Sequence, residues 1–275
     1  MSAPDEALVR AAAAFAPLAP QPTGVDPAAR VAKDASLGPD CTVAAFAVIE
    51  AGARVGARAR IGSGASIGSG VALGDDCVIG PNAVCYPGAT LGHRVVLKAG
   101  AVIGGPGFGY LRGTEGHRRV PHLGGCILED DVEVGSAACV DRGSFEDTIV
   151  GRGTKLDNLV QIGHNVHLGS RCLVMATSGI AGSCRIGDDV VIAGGVGVAD
   201  HVVIGDGAVI GAKSVVFGPG RVAAGAVVTG YPARPHRAFL RGQAALYRLA
   251  AIIDDLESIA ADRQSGDSAN SRSHR

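Results

Sequence analysis

Histidine and glycine recur at an interval of about 18 residues in the second half of the chain. His164 is followed by Gly182, and His201 stands one residue beyond the next such interval. An imidazole titrates near neutral pH and is a suitable general base, and the N–H of a glycine can approach an oxyanion without obstruction by a side chain. The three residues are therefore candidates for catalysis if the fold brings them to one edge. Histidines that lie on the surface by chance are the alternative.

A period of six residues organises most of the chain. Every sixth residue is apolar over residues 25–103, 128–140 and 150–228, and the residue two positions earlier is small or β-branched in most hexads. A helix repeats every 3.6 residues and an isolated strand every two, so this period indicates a short strand plus a turn, repeated in 31 hexads. The pattern resembles hexapeptide-repeat proteins, in which three hexads form each coil of a left-handed parallel β-helix. We therefore expect an all-β solenoid of about ten coils, with the three candidate residues stacked about 4.8 Å apart on one edge.

The composition predicts how the core of this solenoid is built. Glycine, 42 of the 275 residues, follows the aliphatic residue of many hexads, where we expect a tight corner with positive φ. Aromatic residues make up only 4% of the chain, so small and branched aliphatic side chains must fill the interior. Six of the seven cysteines fall in the inward columns and Cys139 does not. Because the number of cysteines is odd and no Cys-x-x-Cys pair occurs, we expect reduced thiols.

Charge and hydropathy restrict the classes of partner. Lys and Arg number 25 and Asp and Glu 26, and this balance offers no electrostatic footprint for nucleic acid or an anionic membrane. No apolar run approaches the ~20 residues of a membrane span. The Ala-rich residues 11–20 follow Asp5, Glu6 and Arg10, unlike the core of a signal peptide. We therefore expect a cytoplasmic protein.

The hexads also define the domain organisation. Residues 1–24 form a short N-terminal segment, in which residues 5–16 are compatible with one helix, and residues 25–230 form the β-helix. Residues 104–127 interrupt the period with Gly, Pro, aromatic and basic residues, which predicts a loop at one corner. Such loops commonly carry function. Residues 141–149 form a smaller interruption.

The period ends before the C-terminus. Pro232 and Pro235 mark a turn, after which apolar residues recur at three- and four-residue spacing. Residues 231–262 are therefore expected to form a helical extension. Residues 263–275 lack apolar anchors and are expected to be disordered.

Four segments carry a more specific resemblance. They are LDNLVQIGHNVHLG (156–169), VDRGSFEDTIVGRG (140–153), GFGY (107–110) and GVADH (197–201). Together with the hexads they resemble, over about residues 25–260, the UDP-3-O-(3-hydroxyacyl)glucosamine N-acyltransferases of lipid A biosynthesis. The resemblance implies transfer of a 3-hydroxyacyl chain from acyl carrier protein to the amine of UDP-3-O-acyl-glucosamine. It implies no cofactor besides the acyl-acyl carrier protein co-substrate.

The same resemblance assigns roles to individual residues. It implies that His164 is the general base, that His201 is a second active-site histidine and that the backbone of Gly182 donates to the oxyanion. Asp157 is a candidate to orient a ring nitrogen of the base, and a role as a corner hydrogen bonder is its alternative. The substrate-binding candidates are Phe108, Tyr110, Asp157, Asn158, Gln161 and Asn165. For the two aromatic residues, packing against each other within the loop is the alternative.

A metal site is a further interpretation, because some trimeric hexapeptide proteins resemble carbonic anhydrases and bind zinc with three histidines. His164, His167 and His201 are the available set. Those enzymes use another histidine shortly after the last of these, and residues 202–210 contain none. We therefore expect no metal.

The resemblance also implies partners. Members of the family are homotrimers with the site between neighbouring β-helices, which suits a flat-sided prism without a deep pocket of its own. Basic residues at the start of the tail helix suit the acidic surface of acyl carrier protein, and a solvated helical face is the alternative. These residues are Arg234, Arg237, Arg241 and Arg248.

The chain departs from the family pattern near the expected nucleotide sugar. Only about 24 residues precede the first hexad, so we expect the family's N-terminal uridine-binding domain to be absent. Pro106 stands where the family has Asp before GFG, and His122 where it has Gln. An N-acyl or N-acetyl transfer to a different amino sugar is therefore an alternative. A non-catalytic trimeric scaffold is another, against which the intact His164 and Asn165 argue.

Overall fold

The computed structural model describes residues 3–15, 24–253 and 256–257. It contains two helices, α1 (Ala3–Phe15) and α2 (His236–Ala251), and 34 strands, most of them two residues long. The strands before the long interruption are β1 (Gly24–Val25), β2 (Arg30–Val31), β3 (Ser36–Leu37), β4 (Thr42–Val43), β5 (Val48–Ile49), β6 (Arg54–Val55), β7 (Arg60–Ile61), β8 (Ser66–Ile67), β9 (Ala72–Leu73), β10 (Val78–Ile79), β11 (Val84–Cys85), β12 (Thr90–Leu91), β13 (Val96–Leu97) and β14 (Val102–Pro106).

The remaining strands begin within the interruption and run to the second helix. They are β15 (Tyr110–Gly113), β16 (Gly116–Arg119), β17 (Cys126–Leu128), β18 (Glu133–Val134), β19 (Cys139–Arg142), β20 (Thr148–Val150), β21 (Lys155–Leu156), β22 (Gln161–Ile162), β23 (His167–Leu168), β24 (Leu173–Val174), β25 (Gly179–Ile180), β26 (Arg185–Ile186), β27 (Val191–Ile192), β28 (Gly197–Val198), β29 (Val203–Ile204), β30 (Val209–Ile210), β31 (Val215–Val216), β32 (Arg221–Val222), β33 (Val227–Thr229) and β34 (Arg234–Pro235).

The short strands form the three faces of a parallel β-helix. The first face runs β1-β4-β7 through β33, the second β2-β5-β8 through β31 and the third β3-β6-β9 through β32. Partners in adjacent coils are 18 residues apart, as in the pairs Val78↔Val96 and Gln161↔Gly179. Every third strand therefore returns to the same face, which confirms the solenoid that the period of six predicts.

The core fills the interior with the two predicted columns of side chains. The large column is buried from Val43 to Val222, and the small column from Cys41 onward holds mostly Ala, Val and Cys. All seven cysteines are free thiols, and burial raises the pKa of Cys77 to about 11 and that of Cys85 to about 12. Cys139, outside the inward columns, is only partly buried. Small side chains allow the faces to approach closely, so the core needs few aromatic rings.

The glycines that follow the aliphatic residue have a different cause from the one expected. Gly56, Gly62 and Gly163 are not among the residues with positive φ. A Cβ on Gly62 would lie 2.7 Å from the backbone N of Pro81, and one on Gly163 would lie 2.8 Å from the backbone N of Gly182. These glycines are therefore required by the close approach of the next coil, and the left-handed conformation belongs to residues two positions later in the corner.

The long interruption is more regular than the expected loop. Strand β14 continues along the second face to Pro106, and β15 and β16 pair as an antiparallel hairpin. The coil closes again when β17 pairs with β12. All eight residues of the hairpin strands are exposed, so no alternation of apolar and polar residues marks them in the sequence.

The two ends carry the helices. Helix α1 begins two residues before the expected 5–16 segment, and α2 begins directly after Pro235, within the expected 231–262 extension. The expected disordered tail, residues 263–275, lies outside the described residues. Helix α2 is tied to the last coil by a hydrogen bond of 3.1 Å between Thr229 Oγ1 and His236 Nδ1.

Candidate active site on one edge of the β-helix

One edge of the β-helix presents the predicted catalytic residues. The turn between β22 and β23 contains His164 and Asn165, and the turn one coil above contains Gly182 and Ser183. The N–H of Ser183 donates to the carbonyl of His164 at 2.9 Å. The backbone ladder therefore fixes Gly182 directly above the candidate base.

His201 lies one column away from the position that the 18-residue interval suggested. Asn165, Ser183 and His201 have φ of 59°, 62° and 56°, so all three occupy the second position of their turns. His164 and Gly182 occupy the first position. His201 is exposed and lies two coils from His164, and it does not line the cavity described below. The prediction that it stacks in line with His164 is wrong at the level of the individual residue.

The His164 imidazole packs against Gly182. A Cβ placed on Gly182 would lie 2.7 Å from Cε1 and 2.8 Å from Nε2 of that ring, so any side chain here would overlap it. Within the part of the chain that the structure describes, the N–H of Gly182 donates to no acceptor. An unpaired N–H beside an imidazole is the arrangement that an oxyanion donor and a general base require.

Asn165 fixes the tautomer of His164. The backbone N–H of Ser144 can only donate, and it lies 3.0 Å from Asn165 Oδ1, while Asn165 Nδ2 donates to the carbonyl of Glu146 at 2.9 Å. Because Oδ1 is an acceptor, the His164 Nδ1 that lies 3.0 Å from it must carry the proton. Nε2, beside Gly182, is then the unprotonated nitrogen.

Asn165 therefore has a different role from the predicted one. It is absent from the lining of the cavity, and its side chain is engaged by the base and by the segment 144–146. It orients His164 as a positioning residue, which is the role that the sequence suggested for Asp157.

A cavity of about 520 Å³ opens beside His164. Of the predicted substrate-binding residues, Phe108, Tyr110 and Gln161 line it, and Gly182 closes one end. The complete lining is Pro106, Gly107, Phe108, Tyr110, Arg119, Asp141, Gln161, Gly163, His164, Ile180, Ala181 and Gly182. The GFGY loop thus forms a wall of the cavity, and its two aromatic rings also contact each other with centroids 5.0 Å apart.

Asp157 and Asn158 lie at a different corner. They follow β21 and stand between the first and second faces, whereas His164 stands between the second and third. Asp157 accepts hydrogen bonds from the N–H groups of Asn158 and Ala176, and Asn158 Oδ1 accepts one from Ser136. Within this chain they are corner hydrogen bonders, and the expected contact between Asp157 and His164 does not form.

Asp141 is a cavity residue that the sequence did not single out as a site. Strand β14 extends past a bulge to pair with β19, which brings Gly105 opposite Asp141. The Asp141 carboxylate accepts a hydrogen bond of 2.9 Å from Gln161 Nε2. Burial raises the pKa of Asp141, and the nearby His164 and His122 partly oppose that effect. The only sequence signal was its place in the DRG segment.

Arg119 adds a positive charge to the same cavity. It ends strand β16 of the hairpin and is exposed. Among residues 3–15, 24–253 and 256–257, no carboxylate forms an ion pair with it. A guanidinium without a protein partner is suited to an anionic group of a ligand.

The predicted basic cluster lies at the start of the tail. Arg234 is in β34, and Arg237, Arg241 and Arg248 are exposed on α2. Their spacing of four and seven residues places the three helical arginines on one side of α2. No helix in the described ranges is long and apolar enough to cross a membrane. In those same ranges no group of three or more His, Cys, Asp or Glu side chains is arranged to hold a metal ion.

Known families match the chain along its coils. The bacterial transferase hexapeptide family (six repeats) matches residues 34–73, 52–87, 70–105 and 183–218, and the hexapeptide repeat of succinyl-transferase matches residues 159–199. Solved structures of UDP-N-acetylglucosamine acyltransferases from Arabidopsis and from Bacteroides fragilis superpose with a TM-score of 0.61. Each is 20% identical and covers 77% of this chain, with 73% of its own length matched. These structures share the fold.

Closer relatives are found among curated sequences. A UDP-3-O-acylglucosamine N-acyltransferase of Caulobacter sp. (strain K31) is 48% identical over 162 residues, which is 59% of this chain and 47% of the relative. One of Methylobacterium sp. (strain 4-46) is 42% identical over 163 residues, which is 59% of this chain and 46% of the relative. The chain thus spans about half the length of the curated relatives that it matches. It is a hexapeptide-repeat β-helix protein that is homologous, over that shared part, to UDP-3-O-acylglucosamine N-acyltransferases.

Proposed function

We propose that the chain is an N-acyltransferase that moves a 3-hydroxyacyl group from acyl carrier protein to the amine of UDP-3-O-acyl-glucosamine, a step of lipid A biosynthesis. One observation carries the proposal: the unprotonated Nε2 of His164 faces a cavity beside the unpaired N–H of Gly182. The homology to N-acyltransferases supports the choice of reaction.

In this mechanism the sugar amine attacks the thioester carbonyl directly. His164 Nε2 accepts a proton from the amine nitrogen as the new N–C bond forms, and the N–H of Gly182 stabilises the negative charge on the carbonyl oxygen. The C–S bond then breaks, and the protonated imidazole returns the proton to the departing thiolate. The reaction therefore needs no covalent enzyme intermediate and no cofactor.

The remaining cavity residues suit an amino sugar linked to phosphate. Asp141 offers a carboxylate to sugar hydroxyls or to the ammonium form of the acceptor, and Gln161 holds that carboxylate in place. Arg119 offers its guanidinium to a phosphate oxygen, while Phe108 and Tyr110 give apolar contact. All five residues line the cavity that contains the base.

The proposal includes the assembly and the donor. We place the enzyme in the cytoplasm as a homotrimer, because the cavity lies on an outer edge of the β-helix and a neighbouring protomer would enclose bound substrates. Asp157, Asn158 and His201, which do not reach the cavity of their own protomer, would act only from a neighbour. The arginines of α2 would contact the acidic acyl carrier protein.

Transfer of an acyl or acetyl group to a different amino sugar is the second candidate. It is favoured by Pro106 and His122, which lie in and behind the cavity wall and differ from the residues expected for the family. The two candidates share His164 and Gly182 and differ only in the acceptor and donor.

The test measures thiol release from 3-hydroxyacyl-acyl carrier protein with and without UDP-3-O-acyl-glucosamine, with the N-acylated product identified by mass spectrometry. The proposal predicts release that depends on the acceptor, and the corresponding product. Release only with another amino sugar, or only from acetyl-coenzyme A, would instead establish the second candidate. Light scattering of the purified protein measures the proposed trimer.

A further inference from the structure

His122 lies directly behind the candidate base. Its ring is 9% exposed, and its centroid lies 5.0 Å from that of His164 with the planes at 71°, an edge-to-face contact. His122 Nδ1 lies 3.1 Å from the carbonyl of Val120 and therefore donates to it. The ring is thus fixed on the segment that closes the hairpin.

The same ring supports the GFGY loop. A Cβ on Gly107 would lie 3.1 Å from His122 Nε2 and 3.1 Å from His164 Cδ2, and one on Gly109 would lie 2.9 Å from His122 Cε1. The N–H of Val120 donates to the carbonyl of Gly109 at 2.9 Å. His122 therefore fills the space between the loop and the base, where the loop has no side chains of its own.

The chemistry of His122 exceeds what simple filling requires. Its Nε2 is buried and has no hydrogen-bond partner within the described part of the chain, a cost that an apolar side chain would avoid. Burial lowers the pKa of His122, and His164 and Arg119 act in the same direction while Asp141 opposes them. The ring is therefore neutral beside an imidazole that must become positively charged during catalysis.

We propose that His122 is a positioning residue, which holds the GFGY loop over the site and confines His164 to the orientation in which Nε2 faces Gly182. Its effect on turnover rests on the proposed function. His164 is then restrained on four sides, by Gly182, Gly107, Asn165 and His122. Only the last of these restraints comes from the interruption of the coils.

The first test needs no substrate. Diethyl pyrocarbonate modifies accessible neutral imidazoles, and peptide mass spectrometry follows His164 and His201 separately. We expect His122→Ala to raise the modification rate of His164 several-fold, because its ring gains room to rotate, and to leave that of the exposed His201 unchanged. His122→Gln fills most of the space and should keep the rate near that of the wild type.

The second test separates kcat from KM in the acyl-transfer assay. A displacement of the base approaching 1 Å should lower kcat by roughly 10- to 100-fold with little change in KM. His122→Gln should restore most of kcat. If His122→Ala changes neither the His164 modification rate nor kcat, the proposal is overturned, whereas an inactive wild type with an intact modification result would refute only the proposed function. Should the alanine variant fail to fold, His122→Phe, which fills the space without a polar nitrogen, replaces it with the same expectation of restrained His164.

Discussion

Replacing Gly182 by alanine would place a methyl group where the His164 ring now lies. The added Cβ would be 2.7 Å from Cε1, whereas ordinary contacts begin at 3.4 Å, so the ring must move by about 0.7 Å. Gly182 does not have positive φ, so alanine fits the backbone and keeps the N–H that would face the oxyanion. The substitution therefore perturbs the base and spares the oxyanion donor.

The displacement has a calculable consequence for turnover. A misplacement of this size costs on the order of 10- to 100-fold in rate, about 1.4–2.7 kcal/mol of activation free energy. Because the ring sits at the end of a rotatable side chain, it can yield without disturbing the coil. We therefore expect the free energy of unfolding to change by no more than about 0.5 kcal/mol.

Gly179→Ala is the matched control in the same coil. A Cβ on Gly179 would meet no heavy atom within 4 Å. The assay is acceptor-dependent thiol release, with unfolding in urea and light scattering measured on the same preparations. A Gly182→Ala protein with the kcat of the wild type, or an equal loss in both variants, would refute the reasoning.

Four further predictions follow from the same geometry. Asn165→Ala should lower kcat about 100-fold without raising KM, because His164 loses the acceptor that fixes its tautomer; steady-state kinetics with urea unfolding as the control measures this. Arg119→Ala should raise KM for a phosphate-bearing acceptor about tenfold and leave kcat within twofold, and a similar effect with an acceptor lacking phosphate would count against it. Asp141→Asn should raise Tm at pH 7. Burial raises the folded-state pKa of Asp141, so its stabilising contribution is present below about pH 3.8 and is lost as pH rises through the folded pKa, and the advantage of asparagine in a Tm–pH series should shrink toward acid pH. Ile162→Ala should cost about 2–5 kcal/mol in urea unfolding because Ile162 is fully buried, and a cost below about 1 kcal/mol would contradict the tight core.

Much of the fold follows from the sequence because the coil length is constant. With 18 residues per coil, the period of six places each large apolar residue inward and sets Gly182 above His164 without any knowledge of side-chain contacts. The same constancy distinguishes the first from the second position of each turn. Read at that resolution, it places His201 in the column of Asn165.

The two interruptions limit what the sequence can predict about the site. Asp141, Arg119 and His122 reach the cavity through segments that leave the period, so no interval relates them to His164. The hairpin has no buried face and hence no hydrophobic alternation. The role of Asn165 depends on which amide atom faces Ser144, a detail of hydrogen bonding that spacing does not encode.

The central claim is that His164 is the general base of an acyl transfer to an amine. The most direct measurement compares acceptor-dependent thiol release by the wild type and by His164→Ala, at equal Tm and equal oligomeric state. The account predicts a loss of roughly 10²- to 10⁴-fold in kcat for the variant. A variant that retains the rate of the wild type with the same acceptor would contradict it.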